Sequence, residues 1–180
     1  MKQLKITQFG NPVLRNATRL VDFDQITSKE IQDLISSMLA LLQDKKLGIG
    51  LAAPQVGHPI AVAVVELQVT ALRDASESVS LVIINPKIIQ VFGRREQMWE
   101  GCISGGAGAP NLFAKVPRYK KIELEYLDKK AVRHTKIFEG LTAQVIQHEV
   151  DHLNGILFVD KVKDTKTYMS YEEYKKMMEL

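Results

Sequence analysis

The feature that most constrains this fold is the segment HEVDH at residues 148–152, which matches the pattern His-Glu-X-X-His. Residues four apart lie one turn above each other on the same face of an α-helix. Both imidazoles can therefore reach one metal ion from a helix, with Glu149 beside the open side of that ion. We predict a helix from Leu141 to about Leu153, which ends at Asn154-Gly155, a typical stop signal. Without a metal, the same pattern would be two surface or capping histidines and a solvated carboxylate.

A catalytic metal ion needs a third protein ligand and an open position for water. Zinc endopeptidases with this pattern take that ligand from further along the chain. Here Phe158 stands where the extended pattern requires a histidine, and the acidic residues beyond it do not lie on a recognisable second ligand helix. Upstream, the segment EGCIS at residues 100–104 holds the only cysteine.

A lone cysteine is ordinarily a small buried hydrophobe. The segment around Cys102 is polar and contains Gly101, however, and the histidine pair lacks a partner. A thiolate is a strong ligand for Fe²⁺ or Zn²⁺. Cys102 is therefore the candidate third ligand.

The remaining chain predicts helices near both ends and strands between them. A helix from about Ser28 to Gln43 has an apolar stripe at helical spacing, which is typical of core packing. Short helical segments are predicted at Val13–Arg15 and Tyr171–Met178. The predicted strands are rich in valine and isoleucine: Leu4–Thr7, Ile60–Glu66, Val79–Ile84, Lys87–Val91, Lys120–Leu127 and Arg133–Phe138. We predict an α+β protein in which residues 1–180 form one domain.

Composition excludes several classes of partner. Lys plus Arg is 24 and Asp plus Glu is 21, a formal net charge of +3 without a basic arm, so no nucleic-acid partner is expected. The apolar runs are far shorter than a membrane span. The lone cysteine excludes an intramolecular disulfide, and the first residues do not resemble a secretory signal. We therefore expect a cytoplasmic protein, with an organelle left open because a transit peptide could precede this sequence.

Three segments resemble the three motifs of the peptide deformylase family: GIGLAAPQ at 48–55, EGCIS at 100–104 and QHEVDH at 147–152. They follow in the family's order at similar spacing, and the resemblance extends from residue 11 to residue 161. It implies mixed, mainly antiparallel β-sheets packed around a central metal-binding helix, with an N-terminal helix. It also implies a metal-dependent hydrolase that removes the formyl group from the N-terminal formylmethionine of newly synthesised polypeptides.

The resemblance also implies which residues form the metal site. Cys102, His148 and His152 would hold one divalent ion, with water in the fourth position. The family implies Fe²⁺ as the native ion, with Zn²⁺, Ni²⁺ or Co²⁺ as substitutes in preparations. The partners would be N-formylmethionyl nascent peptides at the ribosome.

Catalytic and substrate-binding residues follow from the same resemblance. Glu149 would take a proton from the attacking water and deliver it to the departing amine. The Gln55 amide and the backbone N–H of Ile103 would donate hydrogen bonds to the oxygen that becomes negatively charged. The residues implied to contact the substrate are Gly50, Ile49, Met98, Leu141 and Val145.

Two acids in the motifs receive no catalytic role at this stage. Asp151 points about 100° away from His152 around the helix, so it is expected to brace the fold through a backbone or arginine contact. Glu100 is likewise assigned no catalytic role. The chain also departs from the family pattern at Ser104–Lys115, a longer glycine-rich stretch that leaves the outer substrate subsites undefined. Two alternatives stay open: a zinc endopeptidase, and a non-catalytic family member that binds peptides.

Overall fold

The computed structural model describes residues 4–44, 49–67, 78–106 and 109–178. Within these ranges the helices are α1 (Lys29–Asp44), α2 (Gly140–Leu153), α3 (Phe158–Lys161) and α4 (Tyr171–Met178). The strands are β1 (Gly50–Ala52), β2 (Val62–Leu67), β3 (Val79–Gly101), β4 (Leu112–Leu127), β5 (Arg133–Glu139) and β6 (Met169–Ser170). Short 3-10 turns include Pro12–Arg15, Ala53–Val56 and Ile103–Gly105. None of the helices in the described ranges is long and apolar enough to cross a membrane.

The strands form a bent antiparallel sheet in the order β1-β2-β3-β4-β5, and β6 pairs with the start of β4. β3 is 23 residues long, so its first part pairs with β2 and its second part with β4. Its register shifts between Ile84 and Lys87, between Ile88 and Gln90, and between Phe92 and Arg95. Such irregularities bend a strand and increase its twist. The bent strand ends at Gly101, the residue before Cys102.

Helices α1 and α2 lie on opposite faces of the inner strand β2. Val62 and Val64 pack in the cluster that contains the buried stripe of α1. Ala63 and Val65 belong to the second cluster, with Ile146 and other residues of α2. Alternating side chains of a strand point to opposite faces, so a strand covered on both faces is apolar throughout. Helix α2 therefore lies in the interior, as the predicted central helix.

The predicted α+β class is confirmed, and the three predicted helices lie within about one residue of their expected bounds. The predicted strand at Leu4–Thr7 is wrong. That segment is irregular and is fixed by a 2.7 Å hydrogen bond from Thr7 N to Gln55 O.

The strand boundaries also need correction. The two strands predicted over residues 79–91 belong to one continuous strand. Asn85, with a left-handed φ of 51°, bends this strand without ending it. β1 was not predicted. Residues 112–115 of the expected loop belong to β4, because residues 113–115 pair with the end of β3 and Leu112 pairs with β6.

Candidate metal centre

The three predicted ligands converge between the end of β3 and helix α2. Cys102 Sγ lies 3.3 Å from Nε2 of His152. One ligand atom from each of Cys102, His148 and His152 lies within 4.8 Å of the others. The two imidazole rings are 4.9 Å apart at an interplanar angle of 78°, so they approach the thiol from different directions. Helical spacing brings the histidines together, and the sheet brings the cysteine.

The chemistry of this cluster fits a divalent transition-metal ion. Cys102 and His152 are only 3% and 1% exposed, and buried polar groups need a partner. Burial lowers the pKa of His152 well below its ordinary value, which keeps the ring neutral, as a metal ligand must be. Its Nδ1 atom is buried without a hydrogen-bond partner among the described residues. One thiol and two imidazoles are the donors that suit zinc or iron.

Glu100, which sequence reasoning left out, orients His148. The imidazole Nδ1 lies 2.9 Å from Glu100 Oε2. Burial alone would raise the pKa of Glu100, but hydrogen bonds from His148 and Arg118 lower it to about 2. Burial alone would lower the pKa of His148, whereas its contacts with Cys102 and Glu100 raise it well above the ordinary value. An ionised carboxylate on one ring nitrogen leaves the other nitrogen directed at the thiol, an arrangement common around metal-binding histidines.

A buried charge network holds Glu100 in turn. Arg118, 2% exposed, donates from Nε to Glu100 Oε1 at 2.6 Å and from Nη2 to Oε2 at 3.0 Å. Its Nη1 donates to Asp151, which also accepts from Lys161 Nζ at 2.6 Å. Asp151 thus makes the arginine contact that was expected of it. The network ties β3, β4 and α2 together behind the ligands.

Glu149 lies between the two histidines on α2 and is 2% exposed. Burial raises the pKa of its carboxyl to about 7. A methyl group at Gly50 would lie 2.3 Å from Oε1, so only glycine permits this position of the carboxylate. Oε2 is buried without a hydrogen-bond partner among the described residues. A carboxyl group that titrates near neutrality can both accept and return a proton.

Gln55 directs an amide donor at the same cluster. Its Oε1 accepts a 2.7 Å hydrogen bond from Ala52 N, which fixes the orientation of the amide. Its Nε2 consequently points at Ser104 Oγ, at 3.3 Å, and at Cys102 Sγ, at 3.5 Å. Ile103 follows the cysteine at the start of a 3-10 turn. Gln55 therefore bonds local backbone, as an ordinary loop residue would, and also faces the cluster.

The predicted substrate-binding residues lie on the elements that surround this cluster. Ile49 and Leu141 are partly buried against the hydrophobic core cluster that contains Val145. Val145 also approaches Gly50, since a methyl group there would lie 2.9 Å from Val145 Cγ1. Met98 is half-buried on β3, two residues before Glu100.

Comparison with known proteins gives consistent matches. Residues 3–168 match the family described as polypeptide deformylase. The chain is 37% identical over 166 residues to the peptide deformylase of Leptospira biflexa, covering 91% of this chain and 90% of that protein. It is 40% identical over 161 residues to the peptide deformylase of Chlorobaculum parvum, covering 89% and 80%. A crystal structure of the class I type b peptide deformylase from Acinetobacter baumannii, bound to Met-Ala-Ser, superposes with a TM-score of 0.81 at 30% identity, covering 88% of this chain and 98% of that one.

Proposed function

Because this chain belongs to the peptide deformylase family, we propose that Cys102, His148 and His152 hold its catalytic metal ion. The chain is a metal-dependent hydrolase that removes the formyl group from the N-terminal methionine of polypeptides. The observation that carries the assignment of the site is the convergence of these three ligand atoms within 4.8 Å. Fe²⁺ is the proposed native ion, because thiolate and imidazole ligands suit it and the family resemblance implies it.

When bound, a divalent ion lowers the pKa of an adjacent water from about 15.7 to near 7 and polarises a carbonyl oxygen. The protein must then move protons. In the proposal, the Glu149 carboxylate accepts a proton from the attacking water at Oε2, the oxygen that makes no other hydrogen bond among the described residues. The protonated carboxyl then gives that proton to the amine nitrogen as the formyl C–N bond breaks. One water is consumed, and formate and a free α-amine are produced.

Negative charge develops on the formyl oxygen during attack, and hydrogen-bond donors lower the energy of that state. Gln55 Nε2 is the proposed side-chain donor, since the bond from Ala52 N to its Oε1 keeps the amide in this orientation. The backbone N–H of Ile103 is the proposed second donor. Both groups belong to short 3-10 turns at the cluster, so neither needs to move far to meet the substrate.

The substrate is proposed to lie along β1, the strand at the edge of the sheet, as an extended peptide that makes main-chain hydrogen bonds. The methionine side chain would enter an apolar pocket lined by Ile49, Met98, Leu141 and Val145. The Acinetobacter baumannii relative bound to Met-Ala-Ser supports a peptide ligand of this kind. The proposal also includes one catalytic domain over residues 1–180 that meets formylated nascent peptides at the ribosome, in the cytoplasm.

Hydrolysis of formyl-Met-Ala-Ser, compared with its acetylated twin, tests the proposed function. We expect the iron-loaded enzyme, prepared anaerobically, to release formate from the first peptide and to leave the second intact, because the proposed function requires a tight site around the formyl hydrogen. Metal analysis should give about one ion per chain, as three protein ligands imply. Equal cleavage of both peptides would contradict a tight formyl site, and cleavage of internal peptide bonds would favour the zinc endopeptidase alternative.

A Glu100→Gln variant tests the role assigned to the carboxylate behind His148. Loss of such an outer partner typically costs about 10- to 100-fold in metal affinity. We expect a loss in that range, measured by competition with a chelator of known affinity, because a neutral amide no longer holds the imidazole as an ionised carboxylate does.

Asp151→Asn is the matched control for Glu100→Gln. It removes the charge of the other carboxylate that contacts Arg118, but Asp151 does not contact His148 in the described network. Both variants are expected to lower the unfolding temperature, since each leaves the buried guanidinium with one carboxylate. Only Glu100→Gln should weaken metal binding. Equal loss of metal affinity in both variants would assign Glu100 a role in stability alone.

A further inference from the structure

The C-terminal segment Thr165–Met178 is fastened to the beginning of β4. Strand β6 pairs with β4 through Leu112↔Ser170 and Phe113↔Met169. On one side of this pairing, Lys115 N donates to Thr167 Oγ1 at 3.2 Å. On the other side, Tyr171 N donates to Asn111 O, also at 3.2 Å. The segment therefore holds residues 111–115, where the chain returns to the sheet after the turn that follows Cys102.

Aromatic stacking adds a second attachment. The Tyr174 ring of α4 lies flat on the Phe113 ring, with centroids 4.1 Å apart and an interplanar angle of 5°. The same tyrosine meets Trp99 edge to face at 5.8 Å. Stacked and edge-to-face geometries are the favourable ones for aromatic pairs. Tyr174 thus contacts both β3 and β4 at the point where these strands approach the metal centre.

Phe113 transmits this contact to the metal centre. It pairs with Gly101 across β3 and β4. A methyl group at Gly101 would lie 2.7 Å from Phe113 Cε1, so the ring covers the glycine backbone directly. Gly101 is followed in the sequence by Cys102 and then by Ile103. Any movement of the Phe113 ring therefore alters the support beneath the backbone that carries the thiol and the proposed N–H donor.

Cys102 leaves β3 into a single 3-10 turn, Ile103–Gly105. Hydrogen bonds from Phe9 N to Ser104 O and from Gly105 N to Cys102 O, both at 2.9 Å, hold this turn. The contacts of the C-terminal segment add support at the residue before the cysteine, through Phe113 and Gly101.

We propose that Tyr174 is a positioning residue for deformylation, which acts by holding Phe113 against the Gly101 backbone and so fixing Cys102 and Ile103. The inference rests on the proposed roles of those two residues in the site. A misplacement of about 1 Å can cost on the order of 10²-fold in rate even when its cause lies far from the reacting atoms. Loss of one aromatic contact should cause a smaller displacement and a correspondingly smaller loss.

Kinetics of Tyr174→Ala and Tyr174→Phe with formyl-Met-Ala-Ser test the proposal, with rates expressed per bound metal ion. For Tyr174→Ala we expect kcat to fall roughly 10-fold, within the range that such displacements cause. KM should change less, because the proposed methionine pocket is built mainly on other elements. Tyr174→Phe keeps the stacked ring and should restore kcat. Lys176→Ala, an exposed position on the same helix, is the control and should leave both constants unchanged.

Several outcomes would overturn this role. If Tyr174→Ala lowers the unfolding temperature while kcat per bound metal stays at the wild-type value, the tyrosine is merely structural. If Tyr174→Phe is as impaired as Tyr174→Ala, ring stacking is not the cause. Should the alanine variant fail to fold, Tyr174→Leu takes its place, because it keeps apolar bulk without a flat ring. Failure of the proposed function would look different, since the wild-type enzyme itself would then leave formyl-Met-Ala-Ser intact.

Discussion

Replacing Cys102 with serine is expected to abolish both metal binding and deformylation. A metal ion deprotonates a coordinating thiol outright, so Cys102 contributes a negative charge as well as a soft sulfur ligand. A serine hydroxyl contributes neither, and only the two imidazoles would remain. The loss of affinity should exceed the roughly 10- to 100-fold that removal of an outer partner costs. Metal content per chain and formate release from formyl-Met-Ala-Ser measure the two effects.

The position of Cys102 makes a matched control available. The thiol packs in a small apolar cluster with Ala114, Val116 and Phe158. Val116→Ala opens a cavity in the same cluster without removing a ligand, so it should lower the unfolding temperature and retain the metal. If Cys102 were only a buried hydrophobe, Cys102→Ser would behave like this control. A serine variant with one metal ion and normal turnover would contradict the assignment and favour the zinc endopeptidase reading.

Two of the three proposed metal ligands could be predicted from local sequence, because their proximity depends on helical geometry alone. His148 and His152 are four residues apart on α2, so their proximity follows from the helix itself. Cys102 lies 46 residues before His148 along the chain, and no periodicity links them. It could be chosen because two imidazoles need a third ligand and the chain offers one thiol.

Features that depend on tertiary contacts were harder to predict. Strand propensity predicted a strand that ends at Val91. The observed strand β3 continues to Gly101 through the charged stretch at residues 94–96. The pairing of this stretch with β4 keeps it extended, and its side chains are exposed. At Leu4–Thr7 the opposite error occurred. These residues have strand propensity, but they pair with no strand among the described residues. Strand propensity measures fit to a pleated surface, and whether a partner is present is decided elsewhere in the chain.

The buried network shows a similar limit. Arg118 has no local pattern that marks it as buried, and charged residues are seldom fully buried unless they are paired. Its ion pairs with Glu100 and Asp151, both distant in sequence, explain its burial. A weak signal for Glu100 did exist. It stands two residues before Cys102, and strand periodicity places such side chains on the same face.

A Glu149→Gln variant is expected to keep the metal ion and lose most of its activity. Glutamine preserves the size and hydrogen-bonding capacity of the side chain, but its amide cannot accept the proton released by the attacking water. General acid–base catalysis typically contributes about 10²- to 10⁴-fold, and kcat should fall within that range. Glu149 does not belong to the cluster of three ligand atoms, so metal content should stay near one ion per chain. Formate release under saturating substrate, with metal analysis of the same sample, measures both quantities.

Gly50→Ala provides an independent check, because it moves the carboxylate without altering its chemistry. The added methyl group would lie 2.3 Å from Glu149 Oε1 and 2.9 Å from Val145 Cγ1, so the buried side chains must shift. If Glu149 transfers the proton, both variants should lose kcat while retaining metal. If the carboxylate only fills space, Glu149→Gln should stay active and Gly50→Ala should raise KM or lower stability without a fall in kcat. Loss of the ion in Glu149→Gln would instead make this residue part of the metal site, which would contradict the division of roles proposed for α2.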